Sequence, residues 1–265
     1  MPRFSANLSM LFTEHEFLDR FDAAAKAGFA AVEYIGPYDH TPEVVAARLK
    51  KNGLTQALFN LPVGDWGKGE RGIAIFPDRV AEFRQGVAKA IKYAHALGCE
   101  QVNCLAGIAP VTADRRTLED VFVENLAFAA EKLERAGVRL LIEPINTRDI
   151  PGFFLTGSKQ ALAIIDRVGS KNIFLQYDIY HMQVMEGDLA RGIEDNLARI
   201  AHVQLADNPG RHEPGTGEIN YPFLYEHLHR IGYAGWVGAE YRPKAGTEAG
   251  LGWFRDMAGK GSAAA

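Results

Sequence analysis

Short β-type runs alternate with longer helical patterns along almost the whole chain, and no other feature restricts the fold as much. The runs lie at 4–8, 31–35, 56–61, 101–106, 139–145, 173–179, 200–206 and 236–241. Helical spacing follows each, at about 13–27, 41–52, 78–97, 116–136, 157–168, 188–198, 221–231 and 246–257. Apolar residues such as Phe83, Val87, Ile91 and Ala94 recur on one helix face, so those stripes are read as core. The first helix is expected to start at Thr13 as N-cap, with Glu16 three residues on, and to stop at Gly28. Strand followed by helix, eight times over, predicts a parallel sheet closed into a single-domain α/β TIM (β/α)8 barrel over residues 1–258. An open doubly wound sheet fits less well, because no GxGxxG turn follows the first strand. Residues 259–265 offer nothing to bury and are expected to be a disordered C-terminal tail.

Composition removes several classes of function. A net charge of -4 leaves no basic surplus for a phosphate backbone, so nucleic acid is not an expected partner. No stretch approaches a membrane span and the N-terminus lacks the apolar core of a signal peptide, so no membrane association and a cytoplasmic location are expected. Cys99 and Cys104 form neither a disulfide framework nor a CxxC pair and read as buried, reduced thiols. Whether the chain forms a homo-oligomer is left open.

Four polar residues sit at or near the ends of the last four strand patterns: Glu143, Asp178, Gln204 and Glu240. In a barrel these ends converge on one mouth, and burying three carboxylates there is costly unless a cation binds them together. A single divalent metal held by these four is therefore predicted. Their oxygen-only donor set favours Mg²⁺ or Mn²⁺ over Zn²⁺. His181, three residues beyond Asp178, is expected to meet the substrate or orient a ligand from a loop, and His202 to be a satisfied core histidine. Pro144 holds Glu143 in an extended backbone. Two Gly-rich loops, 64–72 and 207–217, have the make-up of lids. Their cations Lys68, Arg71, Arg211 and His212 are candidates to hold an anionic substrate, with a solvated surface charge as the alternative for each.

The segments Phe4-Ser-Ala-Asn-Leu-Ser-Met-Leu, Leu141-Ile-Glu-Pro-Ile-Asn, Gln176-Tyr-Asp-Ile-Tyr-His-Met-Gln, Glu213-Pro-Gly-Thr-Gly-Glu-Ile-Asn-Tyr and Gly235-Trp-Val-Gly-Ala-Glu-Tyr carry a family resemblance. Together they resemble the hydroxypyruvate isomerases of the xylose isomerase-like TIM-barrel superfamily, from residue 3 to about residue 255. The resemblance implies that Glu143, Asp178, Gln204 and Glu240 bind one metal and that Glu143 and Glu240 also move protons. It implies a small anionic keto or aldehyde acid as substrate and no organic cofactor. The 2-oxo-tetronate isomerases are similar in the terminal motifs and are the main alternative. An abasic-site endonuclease would need many His ligands and a basic face, and a catalytically silent sugar-binding barrel would leave the four oxygens dispersed. Tyr34-Ile-Gly-Pro-Tyr departs from both isomerase groups, which usually carry Phe and a bulkier residue there, and this loop is expected to alter substrate fit.

Overall fold

The structure is a computed structural model and describes residues 2–262, with side chains described to Met257. Eight parallel strands close into one barrel in sequence order, so the predicted (β/α)8 architecture is the observed one. The strands are β1 Arg3–Asn7, β2 Ala31–Tyr34, β3 Thr55–Asn60, β4 Gln101–Cys104, β5 Arg139–Ile142, β6 Ile173–Asp178, β7 Ile200–Leu205 and β8 Trp236–Ala239. The helices are α1 Arg20–Lys26, α2 Pro42–Asn52, α3 Val80–Leu97, α4 Arg115–Arg135, α5 Ser158–Val168, α6 Ile179–Met185, α7 Leu189–Asp195, α8 Tyr221–Arg230 and α9 Gly252–Ser262. The main core lies between barrel and helices, where Phe21, Phe59, Phe122 and Leu126 are fully buried.

Several elements differ from the sequence reading. Thr13 is not a cap, and α1 starts at Arg20 after a short 3-10 turn at Phe17–Asp19. Leu11 and Phe12 are drawn into the core, and Glu14 accepts hydrogen bonds from the backbone N–H and hydroxyl of Thr247. These contacts hold the segment as a loop against the connection that follows β8, and α9 begins only at Gly252. An additional helix, α6, starts at Asp178, whose side chain accepts from the N–H groups of Tyr180 and His181. Finally, α9 runs to Ser262 through part of the stretch expected to be tail, while 263–265 lie outside the described residues.

The barrel interior is polar rather than filled with Val, Ile and Leu, the usual packing of this fold. Ser5, Asn7, Glu33, Asn103, Gln176, His202 and Gln204 are all buried on the strands. A small apolar cluster of Leu58, Leu141 and Ala201 meets across the barrel. His202 is the satisfied core histidine expected, with Nε2 at 2.8 Å from Glu33 Oε2 and no exposure. Both cysteines are buried free thiols, and burial pushes the Cys99 thiol up to about 12. Among the described residues, no helix is long and apolar enough to cross a membrane.

Candidate active site

Glu143 and Glu240 each follow the last residue of a strand, Asp178 ends β6, and Gln204 is the next-to-last residue of β7. Parallel strands in register bring these ends to one mouth. Asp178 pairs with Gln204, and Gln204 with Gly238 of β8. Glu143, Gln204 and Glu240 line one small internal cavity. Asp178 is not among the residues lining that cavity, but one ligating atom each of Glu143, Asp178 and His181 falls within 4.8 Å of the others, a buried group that could hold a metal ion.

The donor chemistry fits a cation. Asp178 Oδ2 is buried with no hydrogen-bond partner, as is Oδ1 of Asn103, whose amide donates to Glu143. Burial, followed by the charges of Glu240 and Asp178, raises the Glu143 carboxyl well above the usual range. Burial likewise raises Asp178 and takes Glu240 up to about 8, with Arg211 acting against both. Three acids crowded without enough positive charge are the environment a divalent ion relieves.

His181 is closer to this centre than expected for a loop residue, because it sits in the first turn of α6, where a residue three along returns to the same side. Its Nε2 lies 3.6 Å from Asp178 Oδ2 and 3.9 Å from Glu143 Oε1. The other ring nitrogen, Nδ1, is 2.7 Å from Asn146 Nδ2. Asn146 Oδ1 already accepts from the N–H groups of Arg148 and Asp149, so its NH₂ must face His181 and donate. Burial, then Arg211, holds the imidazole well below its usual pKa. The ring is thus neutral, with Nδ1 accepting and an Nε2–H directed at the carboxylates. In this tautomer His181 is a donor at the site rather than a ligand.

The loop cations separate. Arg211 is 8% exposed and enters the site, 2.9 Å from Glu240, 3.5 Å from Asp149 and 3.7 Å from Asp178. Asp207 explains how the loop delivers it. This buried carboxylate accepts from the N–H groups of Asn208, Gly215, Gly217 and Ile219, folding the loop back, while Asp207 N–H donates to His212 C=O in a tight bridge. A side chain at Gly217 would meet Asn208 O at 2.2 Å, so that approach requires glycine. Arg211 itself has φ 56°, a strained backbone for a residue with a side chain. Arg71 lines the cleft, its guanidinium 3.7 Å over the Trp66 ring. Lys68 does not: its side chain is 83% exposed and pairs with Asp65. His212 turns its Nδ1 to Arg242 C=O at 2.8 Å and does not line the cleft.

Residues 21–257 match the family model described as xylose isomerase-like TIM barrel. The chain belongs to that family. It is 54% identical over 254 residues to hydroxypyruvate isomerase of Escherichia coli, covering 96% of this chain and 98% of that protein. It is 51% identical to 2-oxo-tetronate isomerase of Cupriavidus necator, covering 98% and 100%. A solved structure titled AP endonuclease, family 2 from Brucella melitensis superposes with a TM-score of 0.94 at 48% identity, covering 97% of this chain and 99% of that one.

Within this xylose isomerase-like barrel, sequence reading missed the asparagines Asn7, Asn103 and Asn146 and the acids Asp149 and Asp207 that hold the site's side chains, and with them two charged residues, Arg242 and Glu33. Arg242 lines the cleft, and no partner for its guanidinium is found among the described residues. The signal was available in a cation only two residues past Glu240, just beyond a strand end. Glu33 lies beneath the site and is 1% exposed. Its signal was a lone acid inside the apolar run Ala31-Val-Glu-Tyr. The cleft has a volume of about 310 Å³, and Ile35 and Trp66 separate it from a neighbouring hollow of about 640 Å³. The divergent Tyr34-Ile-Gly-Pro-Tyr loop forms part of that divide. Gly36 is needed there, because a Cβ would lie 2.9 Å from the Tyr38 ring.

Proposed function

We propose that this protein is a metal-dependent isomerase of small keto acids that interconverts hydroxypyruvate and tartronate semialdehyde. The observation that carries this reading is a pair of buried glutamates at one cleft, each with one oxygen tied by an asparagine. Asn103 Nδ2 donates to Glu143 Oε2 at 3.0 Å and Asn7 Nδ2 to Glu240 Oε1 at 3.0 Å. Each glutamate therefore keeps a fixed direction; Glu143 leaves Oε1 for chemistry, whereas Glu240 Oε2 accepts from Arg211 at 2.9 Å, so a proton on Glu240 is exchanged beside that guanidinium. The relatives named as isomerases support the reaction class.

The two compounds differ in the position of a carbonyl, so a proton must leave one carbon and reach its neighbour through an enediolate. Glu143 and Glu240 act as base and acid for that transfer. Glu143, Asp178, Gln204 and Glu240 would hold one Mg²⁺ or Mn²⁺, which when bound supplies a Lewis acid for the charge developing on the substrate oxygens. The Nε2–H of His181 adds a neutral donor to the same oxygens. Arg71, with Arg242, holds the substrate carboxylate, while the charge of Arg211 is engaged by Glu240 and Asp178. Trp66, Ile35 and Ile145 wall the cleft and limit water.

A four-carbon 2-oxo-tetronate is the second reading, favoured by the hollow beyond Ile35 and Trp66 and by the Cupriavidus necator relative. Measuring kcat/KM on both acids with Mg²⁺ or Mn²⁺ tests the choice. Higher efficiency on hydroxypyruvate is expected, and turnover of the four-carbon acid alone would overturn the first reading. The site offers one imidazole at its mouth among the described residues, which does not suit the multi-zinc chemistry of an abasic-site endonuclease.

A further inference from the structure

The carboxylate of Glu33 is one layer below the cleft and has no role in the chemistry above. It reaches from β2 across the barrel and accepts four hydrogen bonds, from Ser5 Oγ at 2.7 Å, Asn7 Nδ2 at 3.3 Å, His202 Nε2 at 2.8 Å and Gln204 Nε2 at 2.8 Å. That uses the full accepting capacity of a carboxylate. The space it occupies is made by Gly238 of β8, where a Cβ would lie 2.2 and 2.3 Å from its two oxygens. Gly238 is in register with Ser5 on one side and Gln204 on the other. The Glu33 carboxylate thus takes the place of the side chain that β8 lacks in this layer.

This seat has a consequence for Gln204. A primary amide can present either end to the cavity, and only the oxygen suits a cation. An ionised carboxylate can only accept, so it fixes the NH₂ of Gln204 toward itself and turns Oε1 away, toward Gln176 Nε2 at 2.6 Å and the cavity shared with Glu143 and Glu240. We infer that Glu33, seated on Gly238, is a positioning residue that holds the Gln204 amide with its oxygen toward the metal, the two residues acting as one unit. The inference rests on the reading of Gln204 as a metal ligand.

Mn²⁺ binding to the full chain, followed by the electron paramagnetic resonance signal of the free ion alongside thermal unfolding, tests it. Glu33→Ala and Gly238→Ala should each weaken Mn²⁺ binding by about tenfold to a hundredfold, the range for loss of a residue that orients a ligand. The double variant should be no weaker than Glu33→Ala by more than about threefold, because both changes remove the same contact. Glu33→Gln should stay within about threefold of wild type, since its carbonyl still accepts from Gln204 while its amide donates to Ser5. Should a single variant not fold, the double variant decides, because the new methyl fills part of the vacated space. Folded Glu33→Ala or double variant with wild-type affinity, even at a lowered unfolding temperature, reduces Glu33 to a structural role and overturns the inference. Gln204→Ala separates the two failures. If it binds Mn²⁺ like wild type, the metal assignment falls and takes this inference with it. If it weakens binding and the double variant does not, the inference alone falls.

Discussion

Two buried acidic clusters sit one layer apart in this barrel, and their electrostatics run in opposite directions. At Glu33, burial pushes the carboxyl up, but the charge and hydrogen bond of His202, with those of Gln204 and Ser5, outweigh it and hold the group below the usual range. At Glu143, Asp178 and Glu240 burial wins, helped by repulsion from neighbouring carboxylates that include Glu33 itself, and all three are raised. The lower cluster has four donors on one carboxylate, whereas the upper one leaves Asp178 Oδ2 without any. The Glu33 carboxylate is satisfied by the protein itself, and the upper cluster keeps a buried acceptor that a cation could satisfy.

The comparison breaks most visibly in unfolding experiments. His202→Leu removes the partner of a fully buried carboxylate and should destabilise the metal-free protein by about 3–5 kcal/mol in urea unfolding. Glu143→Gln removes a member of a repulsive group and should unfold no earlier than wild type. If both variants lose stability to the same degree, the contrast between the clusters is wrong.

The upper cluster should answer in catalysis instead. Glu143→Gln and Glu240→Gln keep an oxygen for the metal but lose the proton carrier, so kcat is expected to fall by about a hundredfold or more while Mn²⁺ binding largely survives. A comparable kcat loss in Lys68→Ala would point to a general instability rather than chemistry. Metal at about a hundredfold over its dissociation constant should add about 2.7 kcal/mol to folding stability, and a chelator should remove it. That gain should shrink sharply in Asp178→Asn, and a gain of unchanged size would place the ion elsewhere.

Smaller effects sharpen the outer rim of the site. Arg71→Ala and Arg242→Ala should each raise KM by roughly tenfold with little change in unfolding temperature, as expected for one lost charge-assisted pair. Lys68→Ala should leave KM unchanged and stability within about 0.5 kcal/mol, because its exposed pair with Asp65 is screened by solvent. A KM rise in Lys68→Ala matching that of Arg71→Ala would require the 64–72 loop to close over the cleft.

Much of this protein is legible in its sequence. The alternation of periods near two and 3.6 specifies eight strand–helix units, and closure in chain order follows because parallel strands need crossover helices between them. The positions of Glu143, Asp178, Gln204 and Glu240 at strand ends follow too, since barrel geometry makes those ends converge whatever the loops do. Contacts between residues far apart in the chain decided the rest. Thr13 looks like a helix cap until Glu14 is seen bound to Thr247, and Arg211, Lys68 and His212 look alike until Asp207 folds one loop inward and Asp65 holds Lys68 outward. The match between a carboxylate on β2 and a missing side chain on β8 has no local signature at all. Each residue obeys its own strand pattern, and only closure of the barrel brings Glu33 onto Gly238. Local periodicity fixes which way a strand side chain points, but what it meets across the axis depends on the register of every strand between.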